Sequence, residues 1–183
     1  MLIPLGFLGT GVKAGFELIQ TQVLASSAAS VTFNLSALQQ STYKHLQLRI
    51  VGRTDRASNQ DGAKIRFNGG TSTNYAFQQL SGSGTSVTGY SDATSLYWYL
   101  PIGALSASTA VANSFGVSVS DILDAFSTAK NKSMRVLSGD ANGVVFTAGL
   151  WVDTSAISSI SIQPDQGTNF VSGSRFSVYG VRG

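Results

Sequence analysis

Residues 143–183 read GVVFTAGLWVDTSAISSISIQPDQGTNFVSGSRFSVYGVRG. Three runs with β character stand here, broken by Asp153-Thr154-Ser155 and by a Pro/Asp/Gln/Gly cluster. In the middle run Ile157 stands apart, and Ile160 and Ile162 alternate with Ser159, Ser161 and Gln163. In the last run Phe176 and Val178 alternate with Arg175, Ser177 and Tyr179. A period of two places the apolar side chains on one face, so both runs predict half-buried antiparallel strands.

Upstream the same period recurs. Tyr43 to Val51 is the clearest case, with Leu46, Leu48 and Ile50 inward and His45, Gln47 and Arg49 outward. Ala63 to Phe67 puts Ile65 and Phe67 inward, and Asn68-Gly69-Gly70 supplies the φ > 0 residues of a tight turn. Phe16–Leu24 and Val31–Leu35 read as a hairpin around the small residues Ser26–Ser30. Asn74–Leu80 is a short strand, and Ser81–Thr94 reads as a mobile Gly/Ser/Thr loop. Ser95–Ile102 has Leu96, Trp98 and Leu100 on one face and Tyr97 and Tyr99 on the other, with Pro101 closing it or marking a sheet edge. Ala104–Ala112 reads as a small-residue loop. Phe115, Val117 and Val119 mark a strand, Ser120–Phe126 is extended chain with a bend, and Met134 and Val136 share one face of a strand over Lys130–Leu137. About ten short strands with turn signals between them and no long helix predict an all-β, antiparallel β-sandwich of jelly-roll-like type.

Composition agrees. The 183 residues suit a single domain, and 43% are hydrophobic, including 10 Phe, 6 Tyr and 2 Trp. Only 11% are charged, against about 25% in an average domain, which suits a protein packed in an assembly. Twelve Lys/Arg and nine Asp/Glu leave a net charge of +3. The one dense basic group, Lys130, Lys132 and Arg135, reads as a solvated turn and strand rather than a nucleic-acid stripe, so nucleic acid is not an expected partner. Cysteine is absent, which excludes disulfides, thiolate metal sites and a Cys nucleophile.

The start, MLIPLGFLGTG, is apolar but short, lacks a basic leader and is interrupted by Pro4, Gly6 and Gly9. It fits neither a signal peptide nor a membrane span, and no membrane partner is expected. Residues 1–14, through Leu2, Ile3, Leu5, Phe7 and Leu8, are expected to form a docking arm hinged at Gly9, Gly11 and Gly15. The alternative is an edge strand or a tail folded over the domain's own core. Residues 15–183 form the single sandwich domain.

Candidate sites are few. His45 is the only histidine, and it sits on the polar face of its strand, so neither a Ser-His-Asp triad nor zinc is expected. Eight aspartates stand mostly in turns beside a lone glutamate, Glu17, which speaks against the paired acids of a glycosidase. Asp55, Asn59 and Asp61 have a spacing suited to Ca²⁺ but not the full ligand set, and read as a polar turn. Tyr90, Tyr97, Trp98 and Tyr99 suggest a sugar-stacking platform, with Trp98 read as core and Tyr97 and Tyr99 as a sheet or subunit contact. GSGTS and NGGTS lack the lysine and helix of a phosphate loop. No catalytic residue, metal or cofactor is expected, and the chain is read as non-enzymatic.

The spacing GLW…AIxSIxI…NFxxGSxFxVYGV resembles the C-terminal signature of small structural proteins of tailed bacteriophages. FELIQTQVLASSAASVTF, STYKHLQLRIVGRT, KIRFNGGTSTNYAFQQLSGSGTSV and VSDILDAFSTAKNKSMRVLSGD extend the likeness over nearly the whole chain. The shared residues are those of strands and turns. The resemblance therefore implies a fold and a virion location rather than a chemistry. Because the 183 residues contain no coiled-coil stalk or long shaft repeat, the expectation within that group is a capsid decoration (cement) protein that binds the outer surface of the particle through its N-terminal arm. Its partners would be other virion proteins and further copies of itself, with a trimer suiting threefold sites. The alternative, favoured by the group's presence at the ends of tail proteins, is a tail or tail-fibre component acting as an adhesion module for a host surface glycan. A carbohydrate-binding module of cellular origin is a third class.

Overall fold

The computed structural model describes residues 15–38 and 42–183. The expected docking arm, residues 1–14 with Leu2, Ile3, Leu5, Phe7 and Leu8, lies outside the described residues. Twelve strands follow one another: β1 (Phe16–Val23), β2 (Val31–Asn34), β3 (His45–Gly52), β4 (Gln60–Phe67), β5 (Tyr75–Ser83) and β6 (Ser86–Ser95), then β7 (Trp98–Ser106), β8 (Gly116–Ile122), β9 (Lys132–Asp140), β10 (Gly143–Trp151), β11 (Ser159–Pro164) and β12 (Arg175–Val181). They form an eight-stranded sheet in the order β1-β12-β3-β8-β9-β10-β5-β6 and a four-stranded sheet in the order β2-β11-β4-β7. Every strand pairing is antiparallel. The all-β sandwich expected from periodicity is therefore the fold.

The alternating residues make its core. Leu46, Leu48 and Ile50 of β3 and Phe176 and Val178 of β12 face Val31, Phe33, Ile160, Ile162, Ile65 and Phe67 of the smaller sheet, all buried. The turn after β4 takes the left-handed conformation foreseen for it, with φ of 54° at Asn68 and 64° at Gly69. Tyr75 joins the layers by accepting a hydrogen bond from the Phe67 backbone N–H at 2.8 Å.

Several local expectations are corrected. β1 and β2 do not form a hairpin: β1 pairs with β12 and β2 with β11. The chain between them crosses from one sheet to the other, held by hydrogen bonds from Leu24 to Ser174 and between Ala28 and Phe170. The segment expected as a mobile loop, Ser81–Thr94, is the β5–β6 hairpin, turning at Gly84 with φ +57°. β6 is an exposed edge strand, so its backbone ladder rather than an apolar face holds it in place. Gln47, expected outward, is buried because its amide donates to Asp121 Oδ1 at 2.8 Å while accepting from Arg49 Nε at 2.7 Å. Leu96, expected inward, is exposed just ahead of β7.

Pro101 does not end its strand. β7 runs on to Ser106 at the edge of the smaller sheet, where a residue without an N–H is tolerated. The small residues expected in a loop, Ala104 to Ala107, are buried where β7 packs over β8, β9 and β10. A methyl group on Gly116 would sit 2.6 Å from Leu105 Cα, so side chains beneath β7 must be small.

That close approach inverts the middle of β8. Its buried residues are Gly116, Ser118, Ser120 and Ile122, whereas Val117 and Val119 point outward; β9 and β10 keep Met134, Val136 and Val145 inside. The strand predicted from Phe115, Val117 and Val119 is present, but the valines face solvent. Across the outer face Val119 lies opposite Leu137, Leu137 opposite Phe146, and Phe146 opposite Leu80. These four are 40%, 63%, 46% and 55% exposed. A neighbouring row runs Val117, Gly139, Val144, Gly82, Val87. Two rows across five strands cover on the order of 300 Å², with strands about 4.8 Å apart and same-face residues about 7 Å apart. Beyond them the surface turns polar at the Asp121–Arg135 ion pair, 3.0 Å.

Beneath this patch the hydroxyls of Ser118, Ser120 and Thr147 are buried without a hydrogen-bond partner. Thr147→Val keeps the shape and removes the stranded hydroxyl. It is expected to stabilise the fold by about 1 kcal/mol, seen as a rise of about 2–4 °C in Tm; an unchanged or lower Tm would contradict this account of the interior.

Candidate functional site

The large sheet is wider than the small one, and β5 and β6 extend beyond the β7 edge. Their inner face and that edge enclose an open cleft of about 360 Å³. Its floor is Phe77, buried on β5. Tyr90 of β6 flanks it on one side with ring centroids 5.9 Å apart, and Tyr99 of β7 on the other at 5.6 Å. The period of two explains the polar groups beside these rings. Gln79 follows Phe77 on the same face of β5, and Asp92 follows Tyr90 on β6. An irregularity in the β5–β6 register next to Asp92 lets its Oδ1 accept from the Thr94 backbone at 2.9 Å.

The far wall is the loop after β11, which brings Asp165 and Gln166. Lys64 pairs with Asp165 Oδ1 at 3.2 Å and donates to its carbonyl at 2.7 Å. The loop itself hangs on two other carboxylates. Asp61, fully buried, accepts from Thr54 Oγ1 and the backbone N–H groups of Gly62, Gln166 and Gly167. Asp55 accepts from the N–H groups of Thr168 and Asn169 and from the Asn169 amide. The backbone hydrogen bond from Asn169 is the main cause holding the Asp55 carboxyl below its usual range. Burial, and after it the charge of Asp165, pushes the Tyr99 hydroxyl up, with Asp92 adding to the same effect.

Residues singled out in the sequence meet different fates. Tyr90 and Tyr99 come together in the cleft. Trp98 is core, as expected, and Tyr97 turns away to lie under the Arg66 guanidinium, 4.3 Å from the ring centroid. His45 uses Nδ1 to accept from the Asp124 backbone at 2.9 Å, which makes it a support of the turn after β8. Asp55 and Asp61 clamp the cleft loop, whereas Asn59 gives its carbonyl to the Ala107 N–H. The three basic residues separate: Lys130 pairs with Asp124, Arg135 pairs with Asp121, and Lys132 is buried instead of solvated. Among the described residues no group of three or more His, Cys, Asp or Glu is placed to share a metal.

Sequence reasoning missed Phe77, Gln79, Asp92, Asp165 and Gln166 as a group. The signal for half of it was the spacing of Phe77/Gln79 and Tyr90/Asp92, visible once residues 75–95 are taken as two strands. No protein-family model matches this chain, and no curated protein matches it.

Proposed function

We propose that this chain is a non-enzymatic structural protein of a tailed-phage virion, a capsid decoration (cement) protein that binds the outer surface of the particle. The observation that carries this reading is the apolar outer face of the large sheet. Val117, Val119, Leu137, Val144, Phe146, Leu80 and Val87 form contiguous rows there, although Ser118 and Ser120 of the same sheet lie inside. An apolar patch of a few hundred Å², bordered by polar residues, suits a protein contact. The low charge content and the resemblance of the last forty-odd residues to phage structural proteins support the same reading. Neighbouring virion proteins and further copies of this chain are the partners it suits, with residues 1–14 as a second anchor.

The test is attachment of the full chain to purified particles. Leu137→Asp and Phe146→Asp each place a charge in the patch centre, at positions 63% and 46% exposed, so each is expected to stay folded with a loss of about 1 kcal/mol in strand propensity and cross-strand pairing. Each is expected to weaken attachment by about tenfold or more, because a buried Leu or Phe contributes about 1.5–3 kcal/mol. Labelled protein should decorate many symmetric sites on the head. Wild-type attachment by both variants, or particles that contain none of the protein, would overturn the proposal. A few copies at the tail would replace decoration by the tail-component reading.

A further inference from the structure

We infer that the cleft between β6 and β7 is a binding site for a short neutral saccharide. The inference stands apart from the decoration proposal, since the cleft opens on the inner side of the β5–β6 overhang and not on the apolar outer face.

The cleft pairs two kinds of surface that sugars need together. Tyr90, 58% exposed, and the partly exposed Tyr99 offer ring surface to the C–H side of a pyranose, packed over the buried Phe77. Asp92 and Gln79 set polar groups on the same space, suited to the hydroxyl groups of a sugar, while Asp165 and Gln166 wall it, the carboxylate bonded to Lys64 and to the Gln166 amide. At about 360 Å³ the space is near the lower end of small-molecule sites, which run from about 300 to 1,000 Å³. That favours a short oligosaccharide end over a large cofactor.

Charge narrows the class. Lys64 balances the charge of Asp165 at 3.2 Å, which leaves the Asp92 carboxylate as the net charge on the cleft lining. Phosphates, uronic acids and sialic acids would meet like charge, whereas uncharged hexoses would not. The site is also held in place before any ligand arrives. Asp61 and Asp55 fix residues 166–169 by backbone N–H donors, so the Asp165 wall costs little ordering on binding.

The experiment is calorimetry and saturation-transfer NMR on the full chain. The probes are lactose, maltotriose, cellotriose, mannotriose and chitotriose, with sialyllactose and a galacturonate trimer as acidic comparators. At least one neutral probe should bind and the acidic ones should not. Tyr90→Ala and Asp92→Asn should each weaken that binding by about tenfold, while Val111→Ser, on a distant exposed side chain, should leave it unchanged. Tyr90 packs on Phe77 with ring centroids 5.9 Å apart, so the Tm of its variant is measured alongside, and Asp92→Asn, which leaves that packing in place, reads the lost contact separately. Three results would overturn the inference: silence of every neutral probe at millimolar concentration, tighter binding of the acidic comparators, or wild-type affinity in both cleft variants. None of them bears on attachment to particles.

Discussion

Asp61→Ala is expected to cost about 3–5 kcal/mol, and in a chain of this length to lower the Tm by roughly 10 °C or more. The Asp61 carboxylate is fully buried and is met by a hydroxyl and three backbone N–H groups, at 2.8 to 3.1 Å. Removing it strands those donors in the interior, and each stranded buried donor costs about 1–3 kcal/mol before any relaxation. Two of them belong to Gln166 and Gly167, so the damage is also local. Hydrogen exchange at 166–169 should rise before global unfolding, and the cleft wall should open with it. Asp61→Asn tests the charge separately. It keeps the volume but replaces one acceptor with a donor that faces other donors, so it should recover less than half of the loss. Full recovery would mean that shape, not the acceptor set, is what the site requires.

Lys132→Met is expected to destabilise by about 2–3 kcal/mol, as three hydrogen bonds from a charged donor are lost and part of the burial cost of the ammonium is recovered. The side chain lies fully buried at the start of β9, with Nζ 2.7 Å from Ser127 O, 3.0 Å from Lys130 O and 3.3 Å from Asp153 O. The Trp151 ring covers it at 5.6 Å from the centroid. Methionine fills most of the space but leaves three carbonyls without their donor. The turn 127–131 and the strand exit at 153 are then no longer tied together.

The same residue gives a pH signature. Burial pushes its ammonium below the ordinary lysine value of 10.5, with the charges of Asp153 and Asp124 opposing that shift. The unfolded chain then holds this proton to higher pH than the folded one. Stability should therefore rise with pH between the lowered folded value and 10.5. Chemical denaturation followed through the mildly alkaline range should show that rise in the wild type, and Lys132→Met should flatten it. Above pH 10 the trend reverses, because burial pushes the Tyr75 hydroxyl up to about 12. The folded chain then keeps a proton that the unfolded chain releases. A wild-type curve that falls steadily below pH 10 would rule out a charged, buried Lys132.

The strands that cross the sandwich centre were legible because both of their faces have clear owners. β3, β11 and β12 alternate apolar with polar, and the apolar residues that the alternation names are buried, with Gln47 and Ser177 buried besides them. Of the β5–β6 hairpin, the first part of β5 was legible as the strand over Asn74–Leu80, but its end, the turn and β6 were not. Residues 81–94, SGSGTSVTGYSDAT, have few apolar side chains and read like a loop, because β6 at the sheet edge is mostly exposed. β8 was legible as a strand but not in orientation. Val117 and Val119 are stronger apolar residues than Ser118 and Ser120, and only the nearness of β7 explains why the serines are inside. Lys132 looked solvated because charge is the usual mark of a surface, and nothing nearby in the chain reveals three carbonyls converging on it. For the candidate site, Tyr90 and Tyr99 were picked out as aromatics, but Asp165 and Gln166 come from a turn more than sixty residues further along the chain.

Alternation, turn residues and composition by themselves determined that this chain is an all-β sandwich with a core drawn from its period-two strands, because those signals are local and repeat every second residue. Only the tertiary structure decided which face of the central strands is dry, which acids act as clamps and which carboxylates share a cleft with Tyr90 and Tyr99. Those outcomes depend on how closely β7 approaches β8–β10 and on how far the eight-stranded sheet overhangs its four-stranded partner. Both are distances between segments remote in sequence, and no local pattern encodes them.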